Sequence, residues 1–481
     1  MSKTIKSITN PKLSLNILTP AELNKIHLAT LHIIENVGVR FPSKRALEIW
    51  AAHGATVDFE KMIVKAPPAL IENALKKAPP TYSLGARDPQ QNCPMDGNHV
   101  YLGTDGCGVE IIDIYNHQRR TSELKDVAEI ARIADATEEI GFHWVALSAQ
   151  DKPSKTRGLH ELKAVWENSS KHVQTESIYN EFEARAAMEM AIAVAGSKEE
   201  LRRKPVLSLM QCTAPPLGHD GGSLDAALVA AEYGVPTGFM TMAANLTTGP
   251  ATMAGNLAVG NAEVISATAL IQLAFPGAPV FYAAAQTASD LRNGAYTGGG
   301  PEDFLYGAAT NLLADYYNIP LSMGSFATGA KEPNWQAGFE NGLSTLMACI
   351  VMSDMLLGVG FLHGSRIWSY SQMMLDCEIF SVVHKMMQGI VVDDETLALE
   401  TIKNVGPGGN FLTQKHTRKH MRDIFLPQFM DRRPYSEWES RGDDARDWTL
   451  EKAVKILETH QPDSLDPGIS AELSKIIASE E

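Results

Sequence analysis

The chain has 481 residues, of which 44% are hydrophobic and 21% charged, and its formal net charge is −15. This composition supplies an ordinary soluble core and excludes a chain that is disordered throughout. The strong negative charge argues against a nucleic-acid partner, because a phosphate backbone requires a basic surface, and it is compatible with a cationic ligand. Length alone does not decide between one enlarged α/β domain and two or three smaller domains.

Cysteine usage and hydropathy bear on redox state, metal binding and location. The five cysteines form no C-x-x-C pair and no other local metal-binding spacing, so we expect reduced thiols and no bound metal, although a zinc site built from distant His and Cys residues needs no such spacing. Residues 1–20 lack the apolar core of a secretory signal. The longest apolar run, 343–364, is interrupted by Asp354 and by glycines, which disfavours a membrane span. The sequence thus predicts a cytoplasmic protein without a membrane partner.

Residues 1–98 are predicted to form an N-terminal α+β extension. Thr19 and Pro20 are typical of a helix start, because Thr caps the first turn and Pro fits the first helical position. The apolar residues that follow share one predicted buried face: Leu23, Ile26, Leu31 and Ile34. A helix within 43–55, a strand pair within 56–65 and a helix within 67–80 are expected next.

Residues 99–385 alternate short apolar runs with amphipathic helical stretches, and eight strand-and-helix repeats are typical of a (β/α)8 TIM barrel. An open doubly wound sheet gives the same alternation and is the alternative fold. Residues 386–481 are charged and helical, and are predicted to be a C-terminal helical extension outside the barrel or on a neighbouring subunit. The eight predicted strands lie within 99–106, 141–150, 171–178, 205–216, 236–245, 278–287, 319–329 and 355–364.

Polar side chains at the C-terminal ends of these strands mark the predicted active site, because the loops there vary while the barrel holds them in place. No G-x-S-x-G elbow, P-loop or dinucleotide-binding fingerprint follows any of the strands, and the glycine-containing runs 297–303 and 406–410 are interpreted as loops. The predicted ring consists of Tyr101, Thr104, Asp105, Gln150, Glu176, Gln211, Asn245, Gln286, Thr328 and His363.

Aromatic residues near the last two strands suggest a binding mode for a cation. Several aromatic faces that converge on one mouth hold a quaternary ammonium group by cation–π attraction. The alternative is that each ring packs in the core and that His363 only caps the sheet. The residues concerned are Phe326, Phe361, Trp368 and Tyr370.

Four segments carry a resemblance to a known family: 252–267, 273–285, 298–303 and 328–340. Looser agreement extends from 35–41 through 101–106 to the last predicted strand. In these segments the chain resembles the trimethylamine methyltransferase family, barrel enzymes that pass a methyl group from a methylamine to a corrinoid protein. The resemblance implies a cobalamin-type corrinoid that is carried by a partner protein and accepts the methyl group.

One position departs from the founding members of that family, which carry pyrrolysine just before the P-x-x-Q-A-G-x-E run. Lys331 occupies the corresponding place here. Lysine has no electrophilic carbon with which to activate a tertiary amine, whereas a quaternary ammonium already has a neutral tertiary amine as its leaving group. The resemblance to non-pyrrolysine relatives therefore implies a betaine as methyl donor.

We accordingly predict a quaternary amine:corrinoid methyltransferase, with glycine betaine favoured and proline betaine or carnitine as alternatives. Tyr101, Phe361 and Trp368 are expected to form the cation cage, and His363, Arg366 or Lys331 to meet the substrate carboxylate. Glu176, Gln211, Asn245 and Gln286 are expected to complete the substrate site. Two other hypotheses stay open: a tertiary methylamine:corrinoid methyltransferase, and a betaine-binding or docking module without turnover. The amphipathic C-terminal helices also predict a homo-oligomer.

Overall fold

The computed structural model describes residues 8–9, 17–106, 108–326 and 328–481. At its centre is a closed barrel of eight parallel strands that pair in chain order. The last strand pairs with the first through Met355 and Tyr101, and this pairing closes the barrel and excludes an open sheet. The predicted (β/α)8 fold is confirmed. The strands are β1 His99–Thr104, β2 Ile140–Trp144, β3 His172–Thr175, β4 Leu207–Cys212, β5 Thr237–Thr241, β6 Val280–Ala284, β7 Leu321–Gly324 and β8 Met355–Val359.

A helix follows every barrel strand and packs on the outside of the barrel. These helices are α1 Leu124–Ala136, α2 Arg157–Asn168, α3 Glu181–Ala195, α4 Gly221–Tyr233, α5 Met253–Ala274, α6 Pro301–Tyr317, α7 Trp335–Ile350 and α8 Tyr370–Met387. A short helix, Lys198–Arg203, lies between α3 and β4. The apolar run 343–364 becomes the end of α7 and β8, and its Asp354 accepts N–H bonds from Gly97 and Leu321, each at 3.0 Å.

Helix α5 is, among the described residues, the one helix long and apolar enough to cross a membrane. Of its most apolar stretch, 94% is buried inside the fold. It packs against β5 and β6 on one side and against the N-terminal helices on the other. Its apolar character on all sides therefore follows from burial between two layers of the protein.

The N-terminal extension has the predicted elements. The helix Pro20–His32 begins with a capping box between Thr19 and Glu22 and continues into a π-helical turn at Ile33–Val37. Helices Lys44–Ala52 and Pro68–Leu75 follow, and the strands Val39–Arg40, Ile63–Lys65 and Thr56–Asp58 form a small antiparallel sheet. These predictions of local structure are confirmed because caps and apolar spacing act over a few residues.

An antiparallel hairpin covers the N-terminal end of the barrel. Its strands, Tyr82–Leu84 and Cys93–Met95, precede β1. Leu84 and Met95 pack with inward-facing side chains of the barrel strands, including Phe142 and Phe281. The N-terminal end of the barrel is therefore filled by apolar side chains.

Loops that follow the strands form two small sheets at the opposite end. One sheet combines Glu110–Ile112 and Arg119–Thr121, after β1, with Phe361–Leu362 and Ile367–Trp368, after β8. The other pairs Ala244–Asn245 with Thr287–Ala288. These sheets fix the loops around the C-terminal mouth of the barrel.

The C-terminal extension is helical, as predicted. Ala445–Thr459 packs on α8 and α1, and Pro467–Glu480 packs on α2 and α3. The shorter helices before them are Asp394–Leu397, Leu399–Val405, Lys415–His420 and Tyr435–Arg441. One hydrophobic core runs through all three parts of the chain, from Leu31 to Ile477, so the division at residues 98 and 385 stays a prediction.

Candidate active site

A cavity of about 950 Å³ opens at the C-terminal end of the barrel. In (β/α)8 enzymes this end carries the active site, because catalytic groups come from the ends of several strands. Each of the eight strands, or the residue or two that follow it, contributes to the wall. The contributing residues, in strand order, are Asp105, Trp144, Glu176, Cys212, Met240, Ala285, Gly324 and Gly358.

Two carboxyl groups lie deep in the cavity wall. Asp105 follows β1 and accepts hydrogen bonds from the Gly106 N–H at 2.9 Å and from the Ser365 side chain. Burial raises the pKa of Asp105 to about 6, and those hydrogen bonds oppose the shift. Glu176 follows β3, is almost fully buried, and accepts a contact from the Cys212 thiol at 3.6 Å. The Cys212 pKa is raised by burial and by this carboxylate. The cavity thus presents negative charge to a ligand.

An aromatic and thioether surface adjoins these carboxyl groups. Trp144 ends β2 and is almost fully buried, and its indole nitrogen has no hydrogen-bond partner among the described residues. A side chain at Gly106 would place a Cβ 2.4 Å from that nitrogen, so glycine is required for the close approach. Tyr179, Tyr296 and Met242 line the cavity with partly exposed side chains nearer the solvent. Aromatic faces beside carboxylates suit an organic cation.

The loops after β7 and β8 supply the basic groups. Lys331 and His363 both line the cavity, and the His363 N–H donates to Ala330 O at 2.8 Å, which joins the two loops. His363, Gly364 and Ser365 have φ of 58°, 63° and 61°, a conformation that non-glycine residues adopt only when their surroundings impose it. Burial, helped by Lys331 and Arg366, lowers the pKa of His363.

A buried carboxyl group supports the β8 loop from behind. Asp376 in α8 accepts the Gly360 N–H at 2.9 Å, and its other oxygen accepts bonds from Asn341 at 2.8 Å and Gln372 at 2.7 Å. Burial raises the pKa of Asp376 to about 7. Because Gly360 precedes His363 by three residues, this network positions the loop that carries the basic side of the cavity.

The full length of the chain, residues 1–481, matches the family model described as Trimethylamine methyltransferase (MTTB). The chain belongs to the trimethylamine methyltransferase family. It is 34% identical to trimethylamine methyltransferase MttB of Desulfitobacterium hafniense (strain DSM 10664 / DCB-2), over 95% of this chain and 92% of the relative. It is 32% identical to trimethylamine methyltransferase MttB of Methanosarcina barkeri, over 96% and 94%. It is also 32% identical to glycine betaine methyltransferase of Desulfitobacterium hafniense (strain Y51), over 96% of each chain. The protein is therefore a methyltransferase.

A solved structure agrees with the fold of this methyltransferase. Monomethylamine methyltransferase (MtmB) of Methanosarcina barkeri matches with a TM-score of 0.50 over 91% of this chain and 93% of that chain. The two sequences are 11% identical, so the match supports the barrel architecture and carries no information on substrate.

Of the ten residues predicted for the methyltransferase site, three line the cavity: Glu176, His363 and Lys331. Arg366 lies outside the lining, with an exposed side chain that pairs with Glu110 at 3.4 Å. The remaining six are buried elsewhere: Tyr101, Phe361, Trp368, Gln211, Asn245 and Gln286.

The predicted cation cage is not assembled. Phe361 and Trp368 pack edge to face, with ring centroids 5.2 Å apart, in the core beneath the loop. Tyr101 faces the barrel interior but lies two inward-facing positions below Asp105, stacked on His99 and within the apolar cluster. We correct the prediction because these rings are enclosed by protein atoms, as the alternative interpretation of core packing expected.

The predicted amides are also turned away from the cavity. Gln211 donates to Ile178 O at 3.2 Å, and Gln286 donates to Asn256 O at 2.8 Å. Side chains alternate between the two faces of a strand, and the residues that line the cavity are the neighbours Cys212 and Ala285. Asn245 donates to Ala251 O at 3.2 Å and accepts from the Tyr306 hydroxyl. Each amide therefore has a structural role in holding loops.

Sequence reasoning missed several cavity residues, among them Trp144, Tyr179, Cys212 and Tyr296. Trp144 and Cys212 lie at strand ends inside predicted runs, so strict alternation from the inward-facing apolar residues of the same strands would have found them. Tyr179 and Tyr296 lie on loops, for which the sequence carries no periodic signal.

Proposed function

We propose that this methyltransferase moves a methyl group from a quaternary amine of the betaine type, with glycine betaine favoured, to the Co(I) corrinoid of a partner protein. The observation that carries the proposal is the polarity of the cavity. Carboxyl groups and an aromatic wall occupy the side formed by β1 to β3, and Lys331 with His363 occupies the loops after β7 and β8. The β8 loop adjoins β1 in the closed barrel, so both kinds of charge lie within one cavity, and a betaine carries both charges within one small molecule.

The acidic side suits the trimethylammonium end. Asp105 and Glu176 supply negative charge, and Trp144, which unlike Tyr101 lines the cavity, supplies aromatic surface for the cation. A quaternary ammonium group has no N–H to donate, so charge and polarisable surface, rather than hydrogen bonds, must hold it. This assignment replaces the cage of Tyr101, Phe361 and Trp368, which are enclosed in the core.

The basic side suits the carboxylate end. The Lys331 ammonium donates to Gly329 O within its own loop, and a substrate carboxylate offers it a charged acceptor in place of that carbonyl. His363 lies on the facing loop and lines the same cavity. Lys331 also stands at the position that the family resemblance assigns to pyrrolysine, so its proposed role is binding rather than covalent activation.

The size of the cavity supports entry of a second, larger substrate. A volume of about 950 Å³ lies at the upper end of the range for small-molecule pockets, about 300–1,000 Å³, and far exceeds what a small betaine fills. The mouth is open at the C-terminal end of the barrel, where the methyl acceptor has to approach. We propose that a corrinoid carried by a partner protein enters there.

The proposed transfer is a direct displacement. The C–N bond of one methyl group breaks and its electron pair stays on nitrogen, which leaves a neutral tertiary amine; the electron pair of Co(I) forms the new bond to the methyl carbon. No proton moves, so Asp105, Glu176 and His363 are not required as acids or bases. The residues bind the ammonium group, orient one methyl toward the mouth and exclude water.

Trimethylamine is the second candidate donor, and the 34% identity to trimethylamine methyltransferase MttB favours it. Protonated trimethylamine would also satisfy Asp105 and Glu176, but it would leave Lys331 without an anionic partner in the cavity. A binding or docking module without turnover is set aside, because the chain belongs to a family of methyltransferases.

The decisive assay follows the visible spectrum of a reduced corrinoid protein, or of free Co(I) cobalamin, with the enzyme and one donor at a time. The donors are glycine betaine, proline betaine, carnitine, choline and trimethylamine. We expect conversion to methyl-Co(III) with a betaine. Conversion with trimethylamine alone, or with choline as readily as with betaines, would contradict the proposal.

We further propose that the enzyme is a homo-oligomer in the cytoplasm. A segment between α8 and residue 426 exposes apolar side chains that a second copy could cover. The cysteines among the described residues are free thiols, as expected in a reducing compartment such as the cytoplasm. Light scattering of the purified chain tests the oligomer; a monomer at micromolar concentration would contradict it. The exposed residues include Ile390, Val391, Val392, Leu399, Leu412, Met421, Ile424 and Leu426.

A further inference from the structure

Three metal-binding side chains cluster in the C-terminal extension: Glu395, His416 and His420. Their candidate ligand atoms all lie within 4.8 Å of one another, and none of the three residues lines the active-site cavity. His416 and His420 are four residues apart on the helix Lys415–His420, which places both rings on one face, with centroids 4.4 Å apart. Glu395 comes from a different helix, Asp394–Leu397.

One pair of the candidate ligands already has the spacing that a metal ion requires. His420 Nε2 lies 3.1 Å from Glu395 Oε1, and His416 Nε2 lies 3.1 Å from the Glu395 backbone oxygen. Metal–ligand bonds of about 2.0–2.2 Å place two ligands of one ion about 3 to 3.5 Å apart. His420 and Glu395 can therefore share an ion in place of a proton, and His416 reaches the same ion by turning from the Glu395 backbone oxygen, since all three ligand atoms lie within 4.8 Å of one another.

A carboxylate orients one of the two rings from outside the cluster. Asp423 Oδ2 lies 2.7 Å from His420 Nδ1, which leaves Nε2 directed at Glu395. Metal-binding histidines commonly have this arrangement, in which a carboxylate on the remote nitrogen fixes the tautomer and the ring plane. One contact opposes metal binding, because the Lys419 ammonium pairs with Glu395 Oε1 at 2.6 Å.

The surrounding segment lacks packing within its own chain that would hold it in place. No side chain of the helices Asp394–Leu397, Leu399–Val405 and Lys415–His420 is buried. Where a small unit buries too little apolar surface, a structural metal supplies the missing constraint.

We propose that Glu395, His416 and His420 bind one divalent transition-metal ion with an N₂O ligand set, completed by water, and that the ion links helices 394–397 and 415–420. Two imidazoles and a carboxylate favour Zn²⁺ or a similar borderline cation over Mg²⁺ or Ca²⁺. This site is separate from methyl transfer and differs from the expectation, based on cysteine spacing, of a chain without bound metal.

The test uses the full-length, untagged, metal-stripped protein titrated with Zn²⁺ in a calorimeter. We expect one ion per chain, and at least a tenfold loss of affinity in the double variant His416→Ala, His420→Ala. The matched control is His53→Ala, because His53 is an exposed histidine that bonds only within its own helix, at Ile49 O. Absence of saturable binding, or equal affinity in the double variant, would overturn the proposal.

Two further measurements separate a metal site from a plain ion-pair network. Lys419→Ala removes the competing ammonium and should tighten zinc binding, whereas weaker binding in that variant would contradict the assigned ligand set. Zinc should also slow limited proteolysis between residues 390 and 424 in the natural chain and not in the double variant. Equal cleavage rates with and without zinc would overturn the linking role.

Discussion

The two ends of the barrel differ in packing, because the N-terminal end is closed by apolar side chains and the C-terminal end opens into a cavity. At the N-terminal end the hairpin seals an apolar cluster around Phe142, and the buried Lys171 ammonium is satisfied by three backbone oxygens, of Ala134, Thr137 and Ile140, at 2.6–2.7 Å. At the C-terminal end the carboxyl group of Asp105 is buried in the cavity wall, and burial raises its pKa. A buried charge such as Lys171, which is fully hydrogen-bonded to backbone oxygens, stabilises the fold. A buried carboxyl group that faces a cavity, such as Asp105, is available to a ligand.

The largest expected effect lies at the closed end. Phe142 fills the barrel so tightly that a Cβ on Gly103 would lie 2.4 Å from its ring. Phe142→Ala should lower the free energy of unfolding by about 3–5 kcal/mol, measured by denaturant titration. Phe59→Ala, at an exposed ring, is the control and should change it by less than about 0.5 kcal/mol. A small effect at Phe142 would mean that the closed end is loosely packed.

At the open end the largest effect is expected on catalysis. Glu176→Gln removes a buried negative charge without changing the shape of the side chain. We expect kcat/KM for glycine betaine to fall about thirtyfold, equivalent to about 2 kcal/mol, with little change in stability. Asp58→Asn, on the distant N-terminal sheet, should leave kcat/KM unchanged. An active Glu176→Gln variant would remove this carboxylate from the cation site.

A smaller and substrate-selective effect is expected on the basic side of the mouth. Lys331→Met keeps the length of the side chain and removes its charge, so the KM for a betaine should rise about tenfold, equivalent to about 1.4 kcal/mol. For choline or trimethylamine, which lack a carboxylate, the initial rate should not fall. A uniform loss across all donors would assign Lys331 to the transfer itself.

The smallest expected effect is a pH dependence. Because the pKa of Asp105 is raised to about 6, the carboxylate forms as pH rises through that value, and betaine binding should tighten severalfold between pH 5 and 7. The same shift should make the free energy of unfolding fall as pH rises from about 4 to 6, because the carboxyl group stays protonated to higher pH in the folded protein than in the unfolded chain. Calorimetric titration of betaine measures the binding effect without the folding effect.

Variants identify the group responsible for that step. Asp105→Asn should abolish the pH step, whereas His363→Gln should retain it, because burial raises the pKa of Asp105 into this range and lowers the pKa of His363. A step that disappears in His363→Gln and persists in Asp105→Asn would reverse the assignment.

The barrel itself could be read from the sequence because its signals are local. Eight short apolar runs, each followed by a helical stretch, give the strands, and the Thr19 cap gives the first helix. Glu176 could be identified because it directly follows β3, and His363 because it lies on the loop that follows β8. The H-x-x-x-H spacing of His416 and His420 was also visible, but Glu395 lies 21 residues earlier and no local pattern connects them.

By itself, then, the sequence determined the strand and helix order and the family, and it predicted an active site at the C-terminal end of the barrel. Tertiary structure decided which side chains at that end face the cavity. The closed barrel turns Met210 and Cys212, rather than Gln211, inward, and packing encloses Phe361 and Trp368 in the core. Left-handed backbone at His363 and Ser365 turns the β8 loop toward the mouth. Local signals determine where strands and helices begin and end. Which way a side chain points depends on contacts between residues that are distant in sequence.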